Sequence, residues 1–159
     1  MRSPWLGLAA WIAVTAVAAV VGGVASMDAK GFYDSLVQPA WAPPAWLFGP
    51  AWTLLYTLMA VSAWLVWRAH GFAGARTALS LYLIQLVANA AWTWLFFAHR
   101  AGGLAFADIV VLWLLVEMTV VAFARLHRGA AMLLVPYLAW ITYAAALNYS
   151  TWKLNPGLL

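Results

Sequence analysis

Few side chains in this chain of 159 residues can do chemistry, since 8% are charged and 67% are hydrophobic. There is no cysteine, which excludes a disulfide, a thiolate nucleophile and a Cys-based metal site. The three histidines, His70, His99 and His127, stand between apolar stretches. Axial ligation of a haem iron from within a stretch is therefore not expected, nor is any other metal site. Two carboxyls, Asp108 and Glu117, do lie inside an apolar stretch. Their separation, at about 100° per residue, puts them on opposite faces of a helix, so they cannot act as a catalytic pair. At a membrane centre each costs about 2.5–3.5 kcal/mol on insertion scales. Glu117, near mid-span, must either lose its charge or find a polar partner, while Asp108 is close enough to an end to cap or to reach the interface.

Indole is the abundant chemical group, with twelve tryptophans. Tryptophan offers a flat face for stacking on an apolar molecule. It is also enriched in the interfacial belts of any membrane protein. The densest cluster is Trp41-Ala42-Pro43-Pro44-Ala45-Trp46-Leu47-Phe48-Gly49-Pro50-Ala51-Trp52. Pro43 and Pro44 suit a helix start, where the missing N–H costs nothing. Pro50 lies further in and is expected to kink or loosen the helix. Phe48, Trp52 and Tyr56 recur every four residues and share a face. Trp41 and Trp46 suit a belt, whereas Trp52 lies too deep for one and is expected to face inward. Gln85, Asn89 and Trp92 form a second stripe, whose amides must find partners on other helices or in a cavity.

The elements that position these groups are five apolar stretches, about 4–27, 45–67, 77–98, 103–124 and 130–152. Each is near the length of about 20 residues that crosses the hydrocarbon. The expected fold is all-α: one integral membrane domain over 1–159, with five transmembrane helices and no soluble domain. Arg2 before the first stretch suggests a signal peptide, but the stretch is too long for one and four spans follow. Five spans put Arg2, Arg68, Arg76, Arg125 and Arg128 on one side, and Lys30, Arg100 and Lys153 on the other. That asymmetry favours a cytoplasmic N-terminus. A net charge of +4 spread over the breaks is membrane-flanking charge and not a nucleic-acid patch.

Three connections are short, so successive helices are expected to be antiparallel neighbours. The first connection, 28–44, is longer than a bundle needs and is rich in aromatics and proline. An ordered lid is expected there. The topology then gathers Gly22, Gly23, Trp46, Trp52, Asn89, Trp92, Asp108, Leu147 and Asn148 in the half of the membrane beneath the lid. Deep aromatics with a few amides under a lid describe a pocket for a hydrophobic ligand. On the last stretch, Trp140, Ala144 and Leu147 share a face, and Leu147, Tyr149 and Lys153 fit a proposed cholesterol-contact pattern.

The chain resembles the TspO/MBR family, the tryptophan-rich sensory proteins and translocator proteins, over essentially its whole length. The resemblance is carried by Trp41-x-Pro43-Pro44-x-Trp46-x-x-x-Pro50-x-Trp52-x-x-x-Tyr56, Gln85-x-x-x-Asn89, Pro136-Tyr137-Leu138-Ala139-Trp140 and Leu147-Asn148-Tyr149-x-x-Trp152. It implies a five-helix bundle in a bacterial cell membrane or a mitochondrial-type outer membrane. It implies binding of porphyrins such as protoporphyrin IX, of sterols, and of benzodiazepine-type drugs. By position, the implied ligand lining is Trp46, Phe48, Gly49, Ala51, Trp52, Asn89, Trp92, Asp108, Trp140, Ala144 and Leu147. Trp41, Tyr56 and Asn148 join them from the lid, the aromatic face and the amides of the same half. Trp52 and Trp140 match the residues proposed in the family to support light-dependent porphyrin breakdown. Ser80 and Ile84 replace the Gly-x-x-x-Gly dimer motif of animal members, which weakens the case for the same homodimer. Leu104 stands where animal members carry a pocket Trp, and Glu117 has no counterpart.

The expected function is binding, with transport or sensing, of a tetrapyrrole or another flat hydrophobic molecule, with no cofactor required. A light- and oxygen-dependent porphyrin-degrading enzyme using Trp52 and Trp140 is the alternative. A scaffold without a small ligand ranks third.

Overall fold

The computed structural model describes residues 3–27 and 29–159. Six helices account for most of them: α1 (Pro4–Ala25), α2 (Ala29–Ser35), α3 (Phe48–Gly74), α4 (Arg76–Thr93), α5 (Gly102–Leu126) and α6 (Arg128–Leu154). A 3-10 turn, Ala45–Leu47, leads into α3, and a π turn, Trp94–Ala98, prolongs α4. Five helices, α2 being the exception, are long and apolar enough to cross a membrane. They do so as a multi-pass bundle.

The charged breaks mark the ends of the apolar spans better than the ends of the helices. α3 continues past Trp67 through Arg68 and His70 as far as Gly74. These residues are good enough helix formers to carry the coil beyond the apolar part. The break comes at Gly71, whose φ of 66° is the left-handed value that glycine adopts without strain. Pro50 does not kink the helix. It sits in the first turn of α3, preceded by the 3-10 turn, where no intrahelical donor is lost.

Burial runs along each helix in a narrow stripe. On α5 the buried residues are Gly102, Ala105, Ile109, Leu112, Val116, Thr119 and Phe123. On α6, Ala130, Leu134, Tyr137, Ile141, Ala144, Asn148 and Thr151 repeat the same alternation of three and four. This is the seam of side-by-side helix packing. α1 buries Gly7, Trp11, Thr15, Ala18 and Gly22. The helices close a ring in the order α1, α3, α6, α5, α4 and back to α1. The short α4–α5 and α5–α6 connections join such neighbours, as expected. α3 and α4 do not follow that rule along their length, because α1 packs against both.

The 28–44 connection is ordered, and part of it is helical. Its Phe32, Tyr33 and Leu36 are buried. Phe32 meets Phe96 edge-on at 6.4 Å, and the Arg100 guanidinium lies 4.7 Å above the Phe32 ring. Asp28 falls outside the described residues.

Among the glycines the tightest site is Gly7, where a Cβ would overlap the Trp67 ring. Gly7→Leu is therefore expected to lower stability by about 1–3 kcal/mol through overpacking. Thermal unfolding in detergent would show the drop, and adding Trp67→Ala to the variant is expected to recover part of it.

Candidate ligand-binding site

A half-open cavity of about 480 Å³ lies under the lid, bounded by α1, α2, the 3-10 turn and start of α3, and the end of α4 with its π turn. Its aromatic wall is Tyr33, Trp46, Phe48, Trp52, Tyr56, Trp92 and Phe97. Gly22, Gly23 and Gly49 leave room on the α1 and α3 sides. A Cβ at Gly23 or Gly49 would meet nothing within 4 Å. Lys30, at the lid, is the one charged side chain among the described lining residues. It forms an exposed ion pair with Asp34 at 3.0 Å.

The wall aromatics are held from behind by their polar ends. Tyr56 donates to Asn89 Oδ1 at 2.6 Å. Asn89 Nδ2 donates to the Tyr137 hydroxyl at 3.0 Å, which in turn donates to Gln85 Oε1 at 2.9 Å. Trp92 Nε1 donates to Asn148 Oδ1 at 2.9 Å, and Asn148 Nδ2 donates to the Gly102 carbonyl at 3.1 Å. The Tyr33 hydroxyl donates to the Pro43 carbonyl at 3.1 Å. The lining hydroxyls of Ser26 and Thr93 donate to carbonyls of their own helices. Among the described residues, the indole N–H groups of Trp46 and Trp52 and the Lys30 ammonium remain the donors a ligand could meet. Trp52 stacks on Tyr56 with ring centroids 5.3 Å apart and meets Trp140 edge-on at 6.4 Å.

The residues expected at the site do not all line it. Trp46, Phe48, Gly49, Trp52, Tyr56 and Trp92 line the cavity. Asn89 and Asn148 do not line it but anchor residues that do, and Trp140 packs behind Phe48 and Trp52. Ala51 and Trp140 line a separate apolar groove of about 470 Å³ between α3 and α6. Ala144 and Leu147 are buried in the helix seam. Trp41 lies on the lid at 48% exposure, against Tyr143.

Asp108 lines neither hollow. One of its carboxylate oxygens is buried, and no partner for it lies among the described residues. Glu117 faces outward on α5. The sterol-pattern residues are not brought to one face: Leu147 is buried, while Tyr149 is exposed and Lys153 lies over Tyr149 and Trp152.

Tyr33, Thr93 and Phe97 line the cavity without having been singled out in the sequence. Thr93 and Phe97 continue the Gln85–Asn89 stripe at four-residue steps, which is the signal that would have found them.

A model of the TspO/MBR family matches residues 5–153. The chain belongs to the TspO/MBR family. Protein CrtK of Rhodobacter capsulatus is 41% identical over 155 residues, covering 94% of this chain and 92% of that protein. The tryptophan-rich sensory protein of Cereibacter sphaeroides is 37% identical over 98% of this chain and 95% of its own. The translocator protein of Ovis aries is 37% identical over 99% of this chain and 95% of its own. In this TspO/MBR member the Trp41–Tyr56 motif thus supplies the lid tip, the 3-10 turn and most of one cavity wall.

Two predictions follow from the polar anchors. Asn89→Leu strands the Tyr56 hydroxyl and removes the donor to the Tyr137 oxygen, which keeps its own bond to Gln85, and is expected to cost about 1–3 kcal/mol. Adding Tyr56→Phe is expected to add less than the same change does in the unaltered protein, a coupling that a double-mutant cycle of unfolding in detergent would detect. At the lid, burial first, then Tyr143 and Asp34, push the Tyr33 hydroxyl up to about 12. A raised phenol pKa contributes stability that is intact below the unfolded value of about 10 and fades as pH rises through 12. The lid is expected to loosen over that window, read as increased proteolysis of the 28–44 segment, and Tyr33→Phe is expected to abolish the alkaline step.

Proposed function

We propose that the cavity binds a planar hydrophobic ligand carrying an anionic edge, of which a tetrapyrrole such as protoporphyrin IX is the best representative, and that transport or sensing follows from its capture. The observation that carries this reading is a cavity walled by aromatic faces where, among the described residues, the uncommitted donors are the indole N–H groups of Trp46 and Trp52 and the Lys30 ammonium. Its volume falls within the range of small-molecule sites, about 300–1,000 Å³. Each aromatic contact contributes about 0.5–1.5 kcal/mol beyond area burial. Lys30 at the rim is placed to meet a carboxylate while the apolar ring system lies against Trp52, Phe48 and Tyr56. No cofactor is needed for this function.

Titration of the protein in liposomes with protoporphyrin IX is expected to give saturable quenching of tryptophan fluorescence. Trp52→Ala is expected to weaken binding about tenfold, and Lys30→Met to weaken the dicarboxylate but not its dimethyl ester. If Trp52→Phe with Trp140→Phe left both affinity and quenching unchanged, the cavity would not be the site.

The edge-on contact between Trp52 at the cavity wall and Trp140 behind it favours a second reading, light-dependent porphyrin breakdown. Here dioxygen would be the oxidant and the excited porphyrin the electron donor; an indole oxidised in passing would be restored by an electron from the porphyrin, so that both indoles are regenerated. Illumination of the complex would then give a defined product faster than from free porphyrin, and Trp52→Phe would suppress it. Equal bleaching of free and bound porphyrin would rule it out.

A further inference from the structure

We infer that Asn155 is a latch that holds the lid closed over the cavity, a positioning residue for ligand retention. The inference rests on the proposed cavity function for its consequence but not for its geometry. Asn155 follows α6 at its C-terminal end and is 4% exposed. Its Oδ1 accepts from the Val37 N–H at 2.8 Å, and its Nδ2 donates to the Val37 carbonyl at 2.8 Å. One carboxamide thus satisfies both backbone groups of a lid residue 118 positions away in sequence.

A residue that merely capped α6 would need only the third contact, Nδ2 to the Thr151 carbonyl at 2.7 Å. The main chain of Asn155 is also fully engaged. Its N–H donates to the Trp152 carbonyl, and its carbonyl accepts from Leu158 and Leu159. Leu159 then packs into the small core formed by Phe32, Leu36 and Phe96 under the lid.

The lid has few other polar ties to the bundle. The Tyr143 hydroxyl donates to the Trp41 carbonyl at 3.0 Å. The side-chain hydrogen bonds of the α2 residues stay within the lid: Lys30 to Asp34, Tyr33 to Pro43 and Ser35 to Phe32. Gln38 reaches the Tyr33 carbonyl, again within the lid. α2 carries the lining residues Ala29, Lys30 and Tyr33. Beside the packing of Phe32 on Phe96, its height over the cavity is therefore held just beyond its end, at Val37, by the residue that follows α6.

The absence of cysteine makes the test direct. Nitroxides are placed on Ser35→Cys and Thr77→Cys, both exposed and outside the site, in protein reconstituted in liposomes. Asn155→Ala is expected to lengthen and broaden the 35–77 distance in ligand-free protein. It is also expected to speed protoporphyrin IX dissociation about tenfold, the effect of losing a paired hydrogen bond, with association changed less than twofold. Asn155→Asp keeps the acceptor and is expected to fall between the two. It also serves if Asn155→Ala fails to fold. An unchanged distance distribution in the variant that folds would overturn the latch, as would an unchanged dissociation rate where the native protein binds. If the native protein binds no porphyrin, the ligand assignment fails and the distance measurement alone decides the latch.

Discussion

In the hydrocarbon of a bilayer no water satisfies a stranded polar group, so an amide or hydroxyl inside the bundle needs a partner within the protein, on its own helix or on another. Asn89 is where this constraint is concentrated. Its carboxamide accepts from Tyr56 on α3 and donates to Tyr137 on α6, fixing three helices at one depth. The geometry of the cavity depends on this arrangement. With its hydroxyl tied inward, Tyr56 presents its ring to the hollow, and the Asn148 carboxamide turns Trp92 in the same way. Polar tips behind and aromatic faces in front make a wall that is rigid without being filled.

The same rule explains why the cavity offers donors to a ligand. Lining hydroxyls spend their protons on carbonyls of the fold, while the indoles of Trp46 and Trp52 are left free. Adaptability is expected in a site of this type, because stacking is tolerant of ligand outline whereas a few fixed donors set orientation. Lys30 adds the one charge, at the edge, where its desolvation cost is least.

The lid contributes differently. It has its own small apolar core, from Phe32, Leu36 and Phe96, and its backbone is received by Tyr143 of α6 and by Asn155 just beyond that helix. The last helix thus spans the bundle twice in function. Its middle buries Tyr137 in the polar network, and its end meets the lid.

Sequence alone determined the solvent of this protein and the number of its spans, because uniform hydropathy and clustered charge are one-dimensional properties. It also marked the Trp41–Tyr56 run and the Gln85–Asn89 stripe, since proline placement, four-residue spacing and amides stranded in lipid are local facts with local consequences. The family was legible for the same reason. Which face of α1, α5 or α6 turns inward was not, because stretches apolar all round carry no moment to read, and the seams on α5 and α6 emerged only from packing. Tertiary structure also decided that Trp140, Ala144 and Leu147 stand behind or beside the hollow while Tyr33, Thr93 and Phe97 form its wall. The pairing of Asn155 with Val37 joins opposite ends of the chain, and no spacing rule reaches across 118 residues; only the closed ring of helices brings those two groups within hydrogen-bonding distance.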